Sequence, residues 1–128
     1  MNLTQLYKSA LDQDCAPVVL CGLDHTVLYM NPAAIKRYAY AGGAALVGKS
    51  LMDCHGDFGC EMIERVVAWF AESPDNNIIY ESRNDDENKD VYMVALRDDD
   101  GTLIGYYEKH EYRNHEAASC YDFEGGSL

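Results

Sequence analysis

PVVLCGLDHTVLYMNPAAIKRY, residues Pro17 to Tyr38, holds two short apolar runs split by a turn and followed by a helix start. Val18 to Cys21 is the first run, Gly22-Leu23-Asp24-His25 the break, and Val27 to Met30 the second run. Two β-rich runs around a turn-like tetrad predict a hairpin. Asn31-Pro32 then changes the period. Pro at a first helical position loses no hydrogen bond and already has a helical φ, and an Asn just before it offers a side-chain oxygen to the free N–H groups. The stretch therefore predicts strand, turn, strand and a helix over Ala33 to Tyr38.

Working outward, the same unit carries Gly22, Asp24, Tyr29, Asn31 and Ala33 at fixed spacing. A second motif, Val47-Gly48-Lys49-Ser50-Leu51 with His55 just beyond, precedes the next helical pattern. A third, Arg97-Asp98-Asp99-Asp100-Gly101-Thr102-Leu103-Ile104-Gly105, has an Asp-Gly turn between two β-rich runs. In this order, from Ala16 to about Arg113, the three motifs resemble the opening, middle and last hairpin of PAS domains, the small sensory modules of signalling proteins. The departure is Thr26, where the family usually has Gly, which puts the geometry of the first turn in question.

The remaining pattern supplies the other elements. Cys60 to Glu72 places Met62, Ile63, Val66, Val67 and Phe70 on one helical face, with Asp57 as its expected cap and Ser73-Pro74 as its end. Ile78 to Arg83, Val91 to Arg97 and Thr102 to Tyr112 read as strands. The polar, mostly acidic segment Asn84 to Asp90 reads as a solvated, mobile loop. The fold class is α+β: a PAS-like five-stranded antiparallel sheet, helices on one face and an additional N-terminal amphipathic helix. The expected organisation is a helix in residues 1–14, a PAS-like domain over 15–113 and a disordered tail over 114–128.

Length and charge bound what such a chain does. Its 128 residues suffice for one core. No apolar run approaches the roughly 20 residues of a membrane span, and the first residues lack a signal peptide's basic head and apolar stretch. Five cysteines, an odd number with no small-scaffold spacing, argue for a reducing compartment. The expected location is the cytoplasm. A net charge of −12 opposes binding to nucleic acid or to anionic membranes.

Near the N-terminus, Leu3, Leu6, Tyr7, Ala10 and Leu11 form a continuous helical stripe behind an Asn2 cap. Something must cover such a stripe. It either closes the chain's own core or, as the resemblance implies, packs on a second copy, giving a homodimer through this helix and the sheet. The chain shows no kinase, DNA-binding or cyclase region, so a signal would pass to a separate downstream signalling protein.

Chemistry-bearing residues concentrate in Asp53-Cys54-His55-Gly56-Asp57-Phe58-Gly59-Cys60. Cys54, His55 and Cys60 are the candidate metal ligands, but their spacing matches no common zinc pattern. In the family's haem sensors the axial His lies on the long helix; Cys60 to Glu72 contains none, leaving His55 in an altered geometry as the haem candidate. Flavin is disfavoured, because of the light-sensing motif only Cys54 remains. A catalytic Cys54/His55 pair would need an orienting third group such as Asp53 or Asp57. No catalytic residue is assigned.

The resemblance implies an apolar pocket between sheet and helices, walled here by Leu20, Leu28, Ile35, Tyr38, Leu51, Met62, Val66, Phe70, Ile79, Met93 and Tyr106. The function expected is a non-catalytic sensory or interaction module holding a small apolar or aromatic ligand. Two alternatives stand beside it. One is a small enzyme of the ketosteroid-isomerase type, drawing on Asp53, Asp57 and Tyr80. The other is a purely structural dimerisation module.

Overall fold

The computed structural model describes residues 1–123. Five antiparallel strands, β1 (Val19–Gly22), β2 (Val27–Met30), β3 (Ile78–Asn84), β4 (Lys89–Arg97) and β5 (Leu103–Tyr112), form one sheet in the order β2-β1-β5-β4-β3. The helices are α1 (Leu3–Asp12), α2 (Pro32–Arg37) and α3 (Asp57–Glu72), and three 3₁₀ turns (Ala39–Ala41, Gly43–Leu46, Leu51–Cys54) link α2 to α3. The α+β architecture and five-stranded sheet agree with the sequence.

Strand register decides which side chains face the helices. Cys21, Tyr106 and Ala95 lie in one cross-strand row, and Glu108, Met93 and Ile79 in another. Because strand side chains alternate, Tyr106, Glu108 and His110 share the inner face of β5. The core gathers there, with Cys21, Met30, Ala34, Ile63, Phe70, Met93 and Tyr106 all buried. Leu20, Tyr107, Val94 and Ile78 form an adjacent row on the opposite, outer face.

Asn31 does more than cap α2. Its Oδ1 accepts from the Ala34 N–H (2.9 Å) and the Val18 N–H (2.9 Å), while Nδ2 donates to the carbonyls of Leu11 (2.9 Å) and Ala16 (3.0 Å). One buried amide thus ties α1, the segment leading into β1 and α2 together, satisfying backbone groups that burial would otherwise leave unpaired. In the first turn, the left-handed position falls on His25 (φ 69°) rather than on Thr26. Thr26 donates its N–H to Asp24 Oδ1 (3.0 Å). The missing Gly therefore imposes no strain at position 26.

Several boundaries move. The long helix begins at Asp57 with Gly56 as its cap residue, so Asp57 acts as first-turn charge and not as the side-chain cap. Asn84 to Asp90 is not a free loop: β3 and β4 run into it, and Glu87 receives Arg37 through two hydrogen bonds (3.3 and 3.0 Å) and Lys89 through an ion pair (3.3 Å). The hairpin tip is pinned to α2. At the other end of the sheet, Arg97 donates to the carbonyls of Phe70 (2.8 Å), Ser73 (3.1 Å) and Asn76 (3.2 Å), where α3 leaves its last carbonyls open. Residues 114–123 form no helix or strand, and the rest of the expected disordered tail lies outside the described residues.

α1 packs differently from the other helices. Asn2 Oδ1 accepts from the N–H groups of Thr4 (2.9 Å) and Gln5 (3.3 Å), but no residue of α1 is buried. Leu3, Leu6 and Tyr7 remain at 56%, 50% and 66% exposure. The stripe does not close the chain's own core.

Candidate functional site

Two cavities lie between the inner sheet face and the helical layer. The first, about 130 Å³, is bounded by β1, β2, the 3₁₀ turns and β5; the second, about 400 Å³, by α3, β3, β4 and β5. His55 and Glu108 line both. The sequence-named residues divide between them. Tyr38, Leu51 and Tyr106 line the first, and Met62, Val66, Ile79 and Met93 the second.

The others lie elsewhere. Phe70 is fully buried in the core beneath, and Ile35 packs against that core. Leu20 belongs to the outer row of the sheet, and Leu28 is 62% exposed at the β2 edge. Neither lines a cavity: Leu20 alternates outward between the inward Val19 and Cys21, and Leu28 is the residue left unpaired where the register slips.

Cys54 and His55 line the first cavity at the end of a 3₁₀ turn, both on exposed residues. Cys60 is otherwise engaged: its thiol donates to the Met52 carbonyl (3.4 Å), closing that turn onto α3. No group of three or more His, Cys, Asp or Glu residues is placed to hold a metal ion among the described residues. For haem, α3 carries no histidine, and the residues present do not fit the axial arrangement that the resemblance implies.

Sequence reasoning missed the polar strip on β5. Glu108 sits in register with Met93, and its carboxyl is pushed up to about 8, first by burial and then by hydrogen bonding to Glu81. His110 is 5% exposed in its side chain and lies 3.7 Å from Glu108 Oε1 through Nε2; Nδ1 is buried without a partner. Burial, with Lys89 and Arg37 nearby, pushes this imidazole down to about 4, so it is neutral at pH 7. Tyr106 joins the strip to the first turn: its hydroxyl is 2.7 Å from His25 Nδ1, and burial raises the phenol above its ordinary range. Burial also pushes the Cys21 thiol up to about 11 and Tyr38 above the usual phenol range. Parity was the available signal. Tyr106 was placed inward, and positions two and four residues on share its face.

The two cavities are partly open to solvent and share a carboxyl at their junction. Asp53 and Asp57 are exposed, and the Tyr80 hydroxyl donates to Asp90 (2.9 Å). The three residues conscripted for an isomerase do not converge.

No family model matches the chain, and no curated protein matches it. Solved structures do. The chain is similar to the PAS domain of a protein from Colwellia psychrerythraea (14% identity, 87% of this chain and 97% of that one, TM-score 0.63). It is also similar to the PAS domain of BvgS from Bordetella pertussis (14% identity, 90% and 89%, TM-score 0.62). A third is the Aer2 receptor from Vibrio cholerae, described as a dual PAS-haem oxygen sensor (18% identity, 77% and 94%, TM-score 0.52). The fold is the PAS fold.

Proposed function

We propose that the chain is a non-catalytic sensory module that binds a small molecule in the cavities between sheet and helices and signals through contacts of α1 and the outer sheet face. The observation that carries this reading is the pair of cavities meeting at His55 and Glu108, between the last strand and the segment that leads into α3. A ligand there touches β5 and the helical layer at once, and biases whichever arrangement of the two it binds better. The similarity to domains of sensory proteins supports it.

The output surface is argued from exposure. Leu3, Leu6 and Tyr7 on α1, with Ile78, Tyr80 and Ile104 on the sheet, are all at least half exposed. Single exposed apolar residues are ordinary, but a helical stripe beside an apolar sheet face marks a contact surface. The occupant is a second copy of the chain, with a downstream signalling protein engaged in turn. Among the described residues no helix is long and apolar enough to cross a membrane, and the cysteine usage supports a cytoplasmic location.

The test is a thermal-unfolding screen against a metabolite library, run beside Leu51→Trp, which fills the first cavity. Stabilisation of the parent chain, lost in the variant, supports the reading. No response to any compound, or an equal response in the variant, overturns it.

A further inference from the structure

The charges around Glu108 specify the kind of ligand. Neither cavity is lined by a Lys or Arg, yet Glu108 borders both and Glu81 borders the second. The nearest cations are held by other groups. Lys89 pairs with Glu87 (3.3 Å) and lies over the Tyr112 ring (5.4 Å), and Arg37 is spent on the same Glu87. His110, at 3.7 Å, is the remaining base beside Glu108. The groups facing Glu108 are therefore Glu81 from β3, Lys89 from β4, Tyr106 and His110 from β5, Cys21 from β1, Tyr38 after α2 and His55 before α3. None places a free positive charge on it.

Three tyrosines, Tyr38, Tyr40 and Tyr106, line the first cavity with this carboxyl. Aromatic faces attract organic cations through their quadrupole, and a carboxylate gives an ammonium the strong, charge-assisted hydrogen bond. We infer that the site takes a small organic ammonium compound, its nitrogen set on Glu108 and its hydrocarbon body among the tyrosines and Leu51. This rests on the reading of the chain as a ligand-binding module. An anion would meet the carboxyls of Glu108 and Glu81 and no Lys or Arg.

Binding is coupled to a proton. Without ligand the Glu108 carboxyl is mostly protonated at pH 7. The ammonium displaces that proton to the buffer, leaving a carboxylate-ammonium pair with no change in ligand charge. Displacement at pH 7 weakens affinity about tenfold relative to pH above 8. An alkyl ammonium itself stays charged across this window, so affinity for the amine rises from pH 6 to pH 8. A neutral ligand accepting a hydrogen bond from the protonated carboxyl shows the opposite slope.

The experiment is calorimetric titration of the full chain with tyramine, its alcohol tyrosol and 4-hydroxyphenylacetate, in phosphate and in Tris. The inference predicts tyramine at least tenfold tighter than tyrosol, no binding of the acid, release of close to one proton at pH 7, and the rising pH profile. Glu108→Gln abolishes the preference for amine over alcohol; Glu81→Gln, which removes the carboxyl neighbour, moves the rise in affinity to lower pH and serves should the first variant not fold. Equal affinities, preference for the acid, a falling profile or an unchanged Glu81→Gln profile overturns it. Binding of none of the three also overturns it, while the library screen separately decides whether the chain binds ligands at all.

Discussion

The hydroxyl of Tyr106 lies 2.7 Å from Nδ1 of His25, joining the last strand to the turn of the first hairpin across 81 residues of sequence. Tyr106 is 1% exposed, so its hydroxyl depends on His25 and Cys21 for partners. Tyr106→Phe keeps the packing and removes the link. The expected loss is about 0.5–1.5 kcal/mol, measured by urea unfolding, whereas Tyr106→Ala adds a cavity and costs about 3–5 kcal/mol. Equal effects would show that the hydroxyl, and not the ring, dominates.

Gly105 pairs with Gly22 where β1 meets β5, and a Cβ there would stand 2.3 Å from the Cys21 carbonyl oxygen. Backbone is the obstacle, so nothing flexible yields. Gly105→Ala should cost about 2–3 kcal/mol and weaken amide protection in β1 and β5. Wild-type stability in this variant would contradict the close approach.

Arg97 holds the end of α3 to the sheet through three carbonyls and also reaches Asn77 Oδ1 (2.7 Å). Arg97→Ala leaves those acceptors without their charged donor, an expected loss of about 2–4 kcal/mol. Arg97→Lys supplies one point charge in place of the planar fork and should recover only part of it.

Two inner-face groups, Glu108 and His110, set the pH dependence of stability near neutral pH. Glu108 binds its proton more tightly folded than unfolded, so its contribution is complete below its ordinary range and declines as pH rises toward about 8. His110 is pushed down to about 4, so it adds stability as pH rises from there through its ordinary range. The two oppose each other in acid, and above the ordinary histidine range only Glu108 acts. Stability should peak near pH 6 and fall by about 1–2 kcal/mol by pH 8.5. Glu108→Gln should remove the alkaline fall. A profile flat from pH 6 to 8.5 in the parent chain would contradict the raised Glu108 carboxyl.

The opening hairpin, the Asn31 cap and α3 were legible because local rules govern them: a β period, a turn tetrad, an Asn-Pro start and one apolar helical face. What was not legible depends on partners far along the chain. Asn31 was readable as a cap, but its bonds to Val18, Leu11 and Ala16 exist only once three segments meet. Asn84 to Asp90 reads as a solvated loop until Arg37 on α2 reaches Glu87. Leu20 and Leu28 fit an apolar pocket by type, but alternation turns Leu20 outward and the register slip leaves Leu28 exposed. Glu108 and His110 were passed over because charged residues in a strand read as its solvent side. Their alternation with Tyr106 was the contrary sign.

Helix α1 offers the test of assembly. Leu6, half exposed, lies at the middle of its stripe. In the proposed homodimer, Leu6→Glu should shift the equilibrium toward monomer about tenfold or more, from the roughly 1.5–3 kcal/mol of a buried leucine, without altering monomer unfolding. An unchanged dimer would move the interface elsewhere.

A native mass spectrum of the purified chain, recorded alone and with the strongest compound from the thermal screen, tests ligand uptake and assembly together. A dimer that takes up one small molecule per protomer is the predicted result. A monomer at the bare chain mass that takes up nothing would contradict it.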